Sequence, residues 1–163
     1  MPIVLVRVDD RLIHGQILES WVPSTRAQEL VVANDSLAQD HVQRMIMQAA
    51  IPYSINLIID GVERIASWLK CPDGRDLRRL VIVDDPVDAL RLKRSGVCFH
   101  ELNLGNLATR EVSVCLSRSV YVGGRSLEAL RMIKREGVKI NIQSVPFEKP
   151  VELLEASFPE EQL

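Results

Sequence analysis

The chain has 163 residues, a formal net charge of −2, and 47% hydrophobic and 26% charged residues, so we predict one globular domain over residues 1–163. The nearly balanced charge does not favour a nucleic-acid partner, and no apolar run approaches the roughly 20 residues that span a bilayer. The N-terminus has no basic segment typical of a secretory signal, and we expect a cytoplasmic protein without a transmembrane segment.

Short runs rich in valine, isoleucine and leucine alternate with segments of helical periodicity. In chain order, the pattern predicts strands over residues 3–8, 30–33, 55–59, 80–83, 100–104, 119–122 and 138–142. It predicts helices from about residue 15 and over residues 36–50, 86–94, 127–135 and 151–156. Several strands are continuous apolar runs, as expected for strands buried on both faces of a parallel sheet. We therefore predict an α/β fold, with an open, mostly parallel β-sheet of about seven strands and helices on both faces.

Two of the predicted helices carry additional signals. Asp85 is a candidate N-cap, Pro86 suits the first helical position, and Gly96 follows the helix end. For the helix over residues 36–50, the candidate N-cap is Asp35. Five apolar residues of this segment fall along one helical stripe: Leu37, Val42, Met45, Ile46 and Ala49.

The loop after the first strand carries the densest set of reactive and charged side chains. Ligands of open α/β sheets bind outside the carboxyl ends of the strands, and the sequence there is RVDDRLIHGQ, residues 7–16. The neutral imidazole of His14 would be a competent nucleophile towards phosphorus. Arg11 could offer a planar fork of donors to phosphoryl oxygens, and the amides from Gly15 onward would add the positive end of a helix dipole. The pattern indicates a candidate phosphoryl site.

The two aspartates of this loop have an open assignment at the sequence level. Asp9 or Asp10 could hold the second imidazole nitrogen of His14 and so fix its tautomer. In the plainer interpretation, both aspartates cap the loop, Arg11 forms a surface ion pair and His14 is an ordinary boundary residue. On the residues alone, the plainer interpretation is slightly favoured.

A resemblance to a known family changes this balance. The sequence RVDDRLIHGQ, followed by Trp21, resembles the signature of the EIIB component of phosphotransferase systems of the mannose/fructose/sorbose family. LVVAND at residues 30–35 resembles the second strand of that family and its polar end. Asn103, Leu104 and Gly105 fall where the family usually has an Asn-Val-Gly-Gly loop, with Asn106 in place of its second glycine.

The resemblance implies a function and a set of site residues. His14 would accept a phosphoryl group on Nδ1 from a phosphohistidine of an EIIA protein and pass it to a sugar bound by the membrane EIIC/EIID permease. The implied phosphate-binding residues are Arg11, Gly15, Gln16 and Arg7. Asp9 and Asp10 would support the site, and no cofactor is implied.

Three alternatives remain at the level of the sequence. A receiver-like phosphoaspartate module would use Asp9, Asp10 and Asp60, although strand five does not end in the lysine that such a site needs. A regulatory EIIB-like phosphoacceptor would keep His14 without serving transport. A nucleotide-binding enzyme is disfavoured because no phosphate-loop fingerprint is present. The three cysteines lack zinc-ligand spacing, so we expect no metal.

Overall fold

A computed structural model describes residues 3–71, 75–108 and 113–159. The strands are β1 (Ile3–Asp9), β2 (Glu29–Ala33), β3 (Asn56–Asp60), β4 (Arg79–Val83), β5 (Glu101–Asn106), β6 (Val114–Ser117), β7 (Val120–Val122), β8 (Lys139–Ile142) and β9 (Val151–Glu152). A π-helical turn (Ile17–Trp21) continues directly into α1 (Val22–Thr25). The other helices are α2 (Asp35–Gln39), α3 (His41–Ala50), α4 (Val62–Lys70), α5 (Pro86–Arg94), α6 (Gly124–Arg135) and a 3₁₀ turn (Glu155–Ser157).

The main sheet confirms the predicted fold class. Its seven strands have the order β3-β2-β4-β1-β5-β8-β9, and all neighbours are parallel except β9, which pairs antiparallel with β8. Alternate residues of the central strands enter two separate apolar clusters, which is the pattern of a sheet buried on both faces. Helices α4, α5 and α6 pack on one face, while the π-helical turn, α1 and α2 pack on the other.

Two predictions outside the central strands are wrong, and one helix was not predicted. Residues 119–122 do not join the main sheet, because β7 pairs with β6 in a separate antiparallel ribbon. The seventh strand is instead β9, at the start of the segment 151–156 that we predicted as a helix. Helix α4 was missed at the sequence level, although it covers the sheet with the buried side chains of Ile65 and Leu69.

The predicted helix over residues 36–50 is two helices, separated at Asp40. The Asp40 side chain accepts a hydrogen bond from the Gln43 amide and so caps α3. The cap of α2 is Asn34, not Asp35, because the Asn34 side chain accepts from the Leu37 amide at 2.7 Å. Asp35 instead accepts from the Val62 amide at 2.9 Å and so satisfies the start of α4.

The predicted apolar stripe of this region divides between the core and the surface. Leu37, on α2, is buried, whereas Val42, Met45 and Ile46, on α3, are 67%, 72% and 57% exposed. The α3 residue that packs against the core is Met47. Among the residues that the structure describes, no helix has both the length and the apolar character needed to cross a bilayer.

Candidate phosphoryl-transfer site

The candidate site lies where three neighbouring strands reach their carboxyl ends. Strand β1 lies beside β5, and β5 lies beside β8, all three parallel. Their ends bring together Asp9, Asn106 and the segment that starts at Gln143. Residues 10–14, here called the β1 loop, leave this edge and lead into the helix that follows His14. The site therefore occupies the edge predicted from the sequence.

The carboxylate of Asp9 is the centre of the site and is fully buried. Its Oδ1 accepts from the backbone amide and from Nε of Arg11, both at 3.2 Å. Its Oδ2 accepts from Nη2 of Arg7 at 3.1 Å and lies 3.1 Å from Nε2 of His14. Burial alone would raise the pKa of Asp9, but the hydrogen bonds from His14 and Arg11 and the charge of Arg7 outweigh it. The net result is a pKa below the ordinary 3.8.

This arrangement fixes the tautomer of His14. An ionised carboxylate can only accept hydrogen bonds, so Nε2 of His14 must carry the proton that it shares with Asp9. The lone pair of the neutral ring is then on Nδ1, which has no hydrogen-bond partner among the residues that the structure describes. Because Nε2 is engaged by Asp9, Nδ1 is the ring nitrogen that can act as a nucleophile, and the side chain as a whole is 16% exposed.

The helix after the β1 loop starts directly at the histidine. The backbone oxygen of His14 accepts from the amides of Ile17 at 3.0 Å and Leu18 at 3.2 Å. Gly15 and Gln16 therefore form the first turn, whose amides have no earlier helical acceptor. This position agrees with the predicted helix start and brings positive partial charge beside His14.

Arg11 connects the buried carboxylate to the solvent. Its side chain is 43% exposed, and its Nη2 donates to Oε1 of Gln16 at 3.2 Å while Nε contacts Asp9. The guanidinium therefore lies between the carboxylate and the first turn of the helix, on the exposed side of the site. Arg11 and Gln16, both predicted from the sequence as phosphate-binding residues, therefore lie in contact with each other beside His14.

The expectation that Arg7 contacts the phosphoryl group is wrong. Its side chain is completely buried, and the ring of Trp21 lies 4.5 Å from the guanidinium carbon. Its Nη1 donates to Oδ1 of Asn103 and, at 2.9 Å, to the backbone oxygen of Gln143. Burial lowers the pKa of Arg7 to about 10, with Asp9 opposing the shift, so Arg7 stays protonated at neutral pH. Arg7 supports Asp9 from the protein interior.

The close packing of Arg7 explains the roles of Gly105 and Trp21, which the sequence did not reveal. A Cβ atom at Gly105 would lie 1.8 Å from Nη2 of Arg7, so only glycine fits beside the guanidinium. Nη2 of Arg7 and Nε1 of Trp21 both donate to the backbone oxygen of Ser144, each at 3.1 Å. The acceptor is a backbone group of a distant segment, for which the sequence has no signal.

Asp10 is not a partner of His14, although the sequence left that assignment open. Its carboxylate accepts from Nδ2 of Asn106 and from the backbone amide of Ala108. Asp60 is also remote, because β2 and β4 separate its strand from β1. At about 4.8 Å between strands, Asp60 lies roughly 14 Å from Asp9, too far for a shared magnesium site. The receiver-like arrangement is therefore absent.

The sequence matches the family described as "PTS system sorbose subfamily IIB component" over residues 3–162. The chain is 30% identical to the sorbose-specific EIIB component of Klebsiella pneumoniae, covering 95% of this chain and 94% of that protein. It is 32% identical to N-acetylgalactosamine-specific phosphotransferase enzyme IIB component 2 of Escherichia coli, covering 94% and 98%. The crystal structure of the sorbose permease IIB domain of Klebsiella pneumoniae superimposes with a TM-score of 0.87 and 30% identity, covering 93% of both chains.

Fold, site and relatives together define the class of protein, a IIB component of the phosphotransferase system. The chain belongs to the sorbose subfamily of these IIB components. The resemblance found in the sequence is thereby confirmed at the level of the family. Components of this kind are phosphotransferases that take part in sugar uptake.

We predict that Gly105→Ala destabilises the protein strongly. The added methyl group would push the Arg7 guanidinium away from Asp9, and disruption of a buried ion pair typically costs about 3–5 kcal/mol. Urea denaturation measures the change in the free energy of unfolding. The matched control is Gly15→Ala, because no atom lies within 4 Å of the added methyl group and a change within about 0.5 kcal/mol is expected. Equal stabilities of the two variants would contradict the packing of Arg7.

The pKa of Asp9 predicts a pH dependence of stability. Because the folded pKa lies below the ordinary 3.8, the ionised carboxylate stabilises the folded state at neutral pH. This contribution is complete above the unfolded pKa and is lost as the pH falls through the folded pKa. The difference in unfolding free energy between wild type and Asp9→Asn should therefore narrow between pH 7 and pH 3, as measured by urea denaturation. A difference that is constant over this range would show that Asp9 is not held ionised.

Proposed function

We propose that this protein is a phosphoryl carrier of sugar uptake that uses Nδ1 of His14. It accepts the phosphoryl group from a phosphohistidine of an EIIA protein and donates it to a sugar at an EIIC/EIID permease. The observation that carries this proposal is the contact between Nε2 of His14 and the buried carboxylate of Asp9, because it leaves the lone pair on Nδ1. The protein would work as a cytoplasmic partner of the permease.

In the accepting step, the lone pair of His14 Nδ1 attacks phosphorus. A new N–P bond forms, the N–P bond of the donor breaks, and the bonding electrons return to the donor imidazole. The ring of His14 becomes positively charged because it keeps the proton on Nε2. The negative charge of Asp9, 3.1 Å away, stabilises that ring more strongly in the transition state than in the neutral ground state.

The phosphoryl group adds negative charge on the exposed side of the ring. Arg11 is a partly exposed cation that shares Asp9 with His14, and the first-turn amides of Gly15 and Gln16 add partial positive charge. In the donating step, a sugar hydroxyl attacks phosphorus and its proton passes to water. The N–P bond breaks and its electrons return to Nδ1, which restores neutral His14.

The name of one relative supports EIIA as the phosphoryl donor. The chain covers 48% of the mannose-specific EIIAB component of Escherichia coli, a protein whose name includes an A part as well as a B part. We therefore propose EIIA as the phosphoryl donor here. Sugar identity would follow from the permease that binds the sugar, because this protein would present only the phosphoryl group.

We predict that a phosphoenolpyruvate-charged donor relay labels His14 alone. His14→Ala should abolish labelling, while His41→Ala, which changes an exposed histidine, should leave it unchanged. The label should be lost quickly in acid and kept in mild base, because protonation of the ring activates a phosphoramidate whereas hydroxide attacks its anionic phosphoryl group poorly. Base-labile label, or full labelling of His14→Ala, would overturn the proposal. Transfer of the label to sugar in permease-containing membranes separates a transport role from a regulatory one.

We also predict that Arg11→Gln slows phosphoryl transfer about 100-fold. The guanidinium faces the oxygens that gain charge in the transition state, and loss of one such donor typically costs a factor of about 100–1,000. The unfolding free energy should change by no more than about 1 kcal/mol, because the ion pair is partly exposed. Rapid-quench measurement of label on the protein gives the rate. Arg64→Gln is the control, since that exposed side chain lies at the far edge of the sheet. Equal rates for Arg11→Gln and wild type would remove Arg11 from the site.

A further inference from the structure

We propose that Asp10 and Asn106 form a pair of positioning residues that holds His14 against Asp9. The proposal rests on the phosphoryl-carrier function and adds two residues that do not touch the reacting atoms. Oδ1 of Asp10 accepts from Nδ2 of Asn106 at 2.7 Å, and Oδ2 accepts from the Ala108 amide at 2.8 Å. The Asp10 amide donates in turn to the backbone oxygen of Asn106 at 3.0 Å. These three hydrogen bonds join the start of the β1 loop to the end of β5.

An irregularity in the sheet brings the two side chains together. Val8 pairs with Leu104, so a regular parallel ladder would continue with Asp9 beside Gly105. The register instead shifts, and Asp9 pairs with Asn106. Gly105 is thereby left beside the Arg7 guanidinium, and Asn106 comes within hydrogen-bond distance of Asp10. The same register shift therefore makes room for the Arg7 guanidinium and places the Asn106 amide, the hydrogen-bond donor to Asp10.

The β1 loop needs such an external support because its backbone is strained. Leu12 has a φ of 54°, in the left-handed region that leucine rarely adopts. Its amide donates to the backbone oxygen of Asp9 at 2.9 Å, and its side chain is buried. A strained residue persists only where the surrounding contacts fix both sides of it. Leu12 is fixed by its own burial and by Asp10 before it.

The pair acts on catalysis through the position of the His14 ring. If Asp10 is released from β5, the loop can relax at Leu12, and Nε2 of His14 is no longer held at 3.1 Å from Asp9. The neutral ring can then present either nitrogen to a donor, and fewer encounters lead to transfer. The protein should still bind its donor, because the side chains of the pair contact each other and the Ala108 amide, not the His14 ring.

The test exchanges the two side chains. Asn106→Asp places a second carboxylate against that of Asp10, and the two negative charges repel. The rate of phosphoryl transfer within the donor complex should fall about tenfold, with an unchanged KM for the phosphorylated donor protein. The double variant Asp10→Asn with Asn106→Asp restores one amide and one carboxylate, and the amide oxygen at position 10 can still accept from Ala108. Its rate should return to within about twofold of wild type.

Three controls make the outcome decisive. Asn56→Asp makes the same chemical change on the exposed end of β3 and should transfer at the wild-type rate. Asn106→Ala removes the hydrogen-bond donor to Asp10 without adding a charge. It takes the place of Asn106→Asp if the melting temperature shows that the latter variant does not fold. Absence of label on wild type would refute the phosphoryl-carrier function itself. A labelled wild type with an equally fast Asn106→Asp, a raised KM at unchanged rate, or no rescue by the double variant would overturn the positioning role.

Discussion

The buried carboxylate of Asp9 is the interaction on which the whole site depends. A charge without exposed surface is costly unless hydrogen-bond donors and opposite charges surround it. Arg7 approaches this carboxylate from the core, Arg11 from the solvent side and His14 from the helix start. Because all three converge on two oxygen atoms, the orientation of His14 is determined by the protein interior as well as by the exposed loop that carries it.

A buried carboxylate of this kind requires a buried cation, and the cation in turn shapes three segments of the chain. Arg7 donates hydrogen bonds to the side chain of Asn103 and to the backbone oxygens of Gln143 and Ser144, and it packs against the ring of Trp21. These groups come from β5, from the segment after β8 and from the π-helical turn. A π-helical turn widens a helix locally and is often found at functional sites. Here it includes Trp21, whose ring covers Arg7, so the helix irregularity and the ion pair belong to one packing arrangement.

The sequence predicted the parts of this molecule that depend on local patterns. Continuous apolar runs identified six of the seven strands of the main sheet, and the charged loop identified the edge that carries His14. The remainder depends on pairing between distant segments. The strand at 119–122 has the composition of a buried strand, yet its partner is the neighbouring ribbon strand. In the sequence, Asp40 fits the exposed face of one continuous helix. Only the structure shows that its side chain caps α3 and that the helix is interrupted there. Arg7 falls inside the predicted first strand and Arg11 in the loop after it. The acceptors that surround Arg7, however, come from Asn103, Gln143 and Ser144, which the sequence does not place beside it.

The charges of the site suggest how the phosphoryl group is accommodated without a large rearrangement. Before transfer, two arginines face one carboxylate, and Arg11 shares Asp9 with Arg7 and His14. In the proposed transfer, the His14 ring becomes cationic on forming the N–P bond. Asp9 then gains a third close cation in addition to Arg7 and Arg11. The ion pair between Asp9 and Arg11 then contributes less to balancing the charge of Asp9. The phosphoryl group, in turn, adds roughly two negative charges on the exposed side of the site. Arg11 can exchange one anion for the other by a change of side-chain rotamer, because it is already partly exposed, whereas Arg7 cannot leave the core. The division between a fixed and an exchangeable arginine is therefore a consequence of their burial. In the proposed function, this difference makes Arg7 a support of Asp9 and Arg11 a ligand of the phosphoryl group.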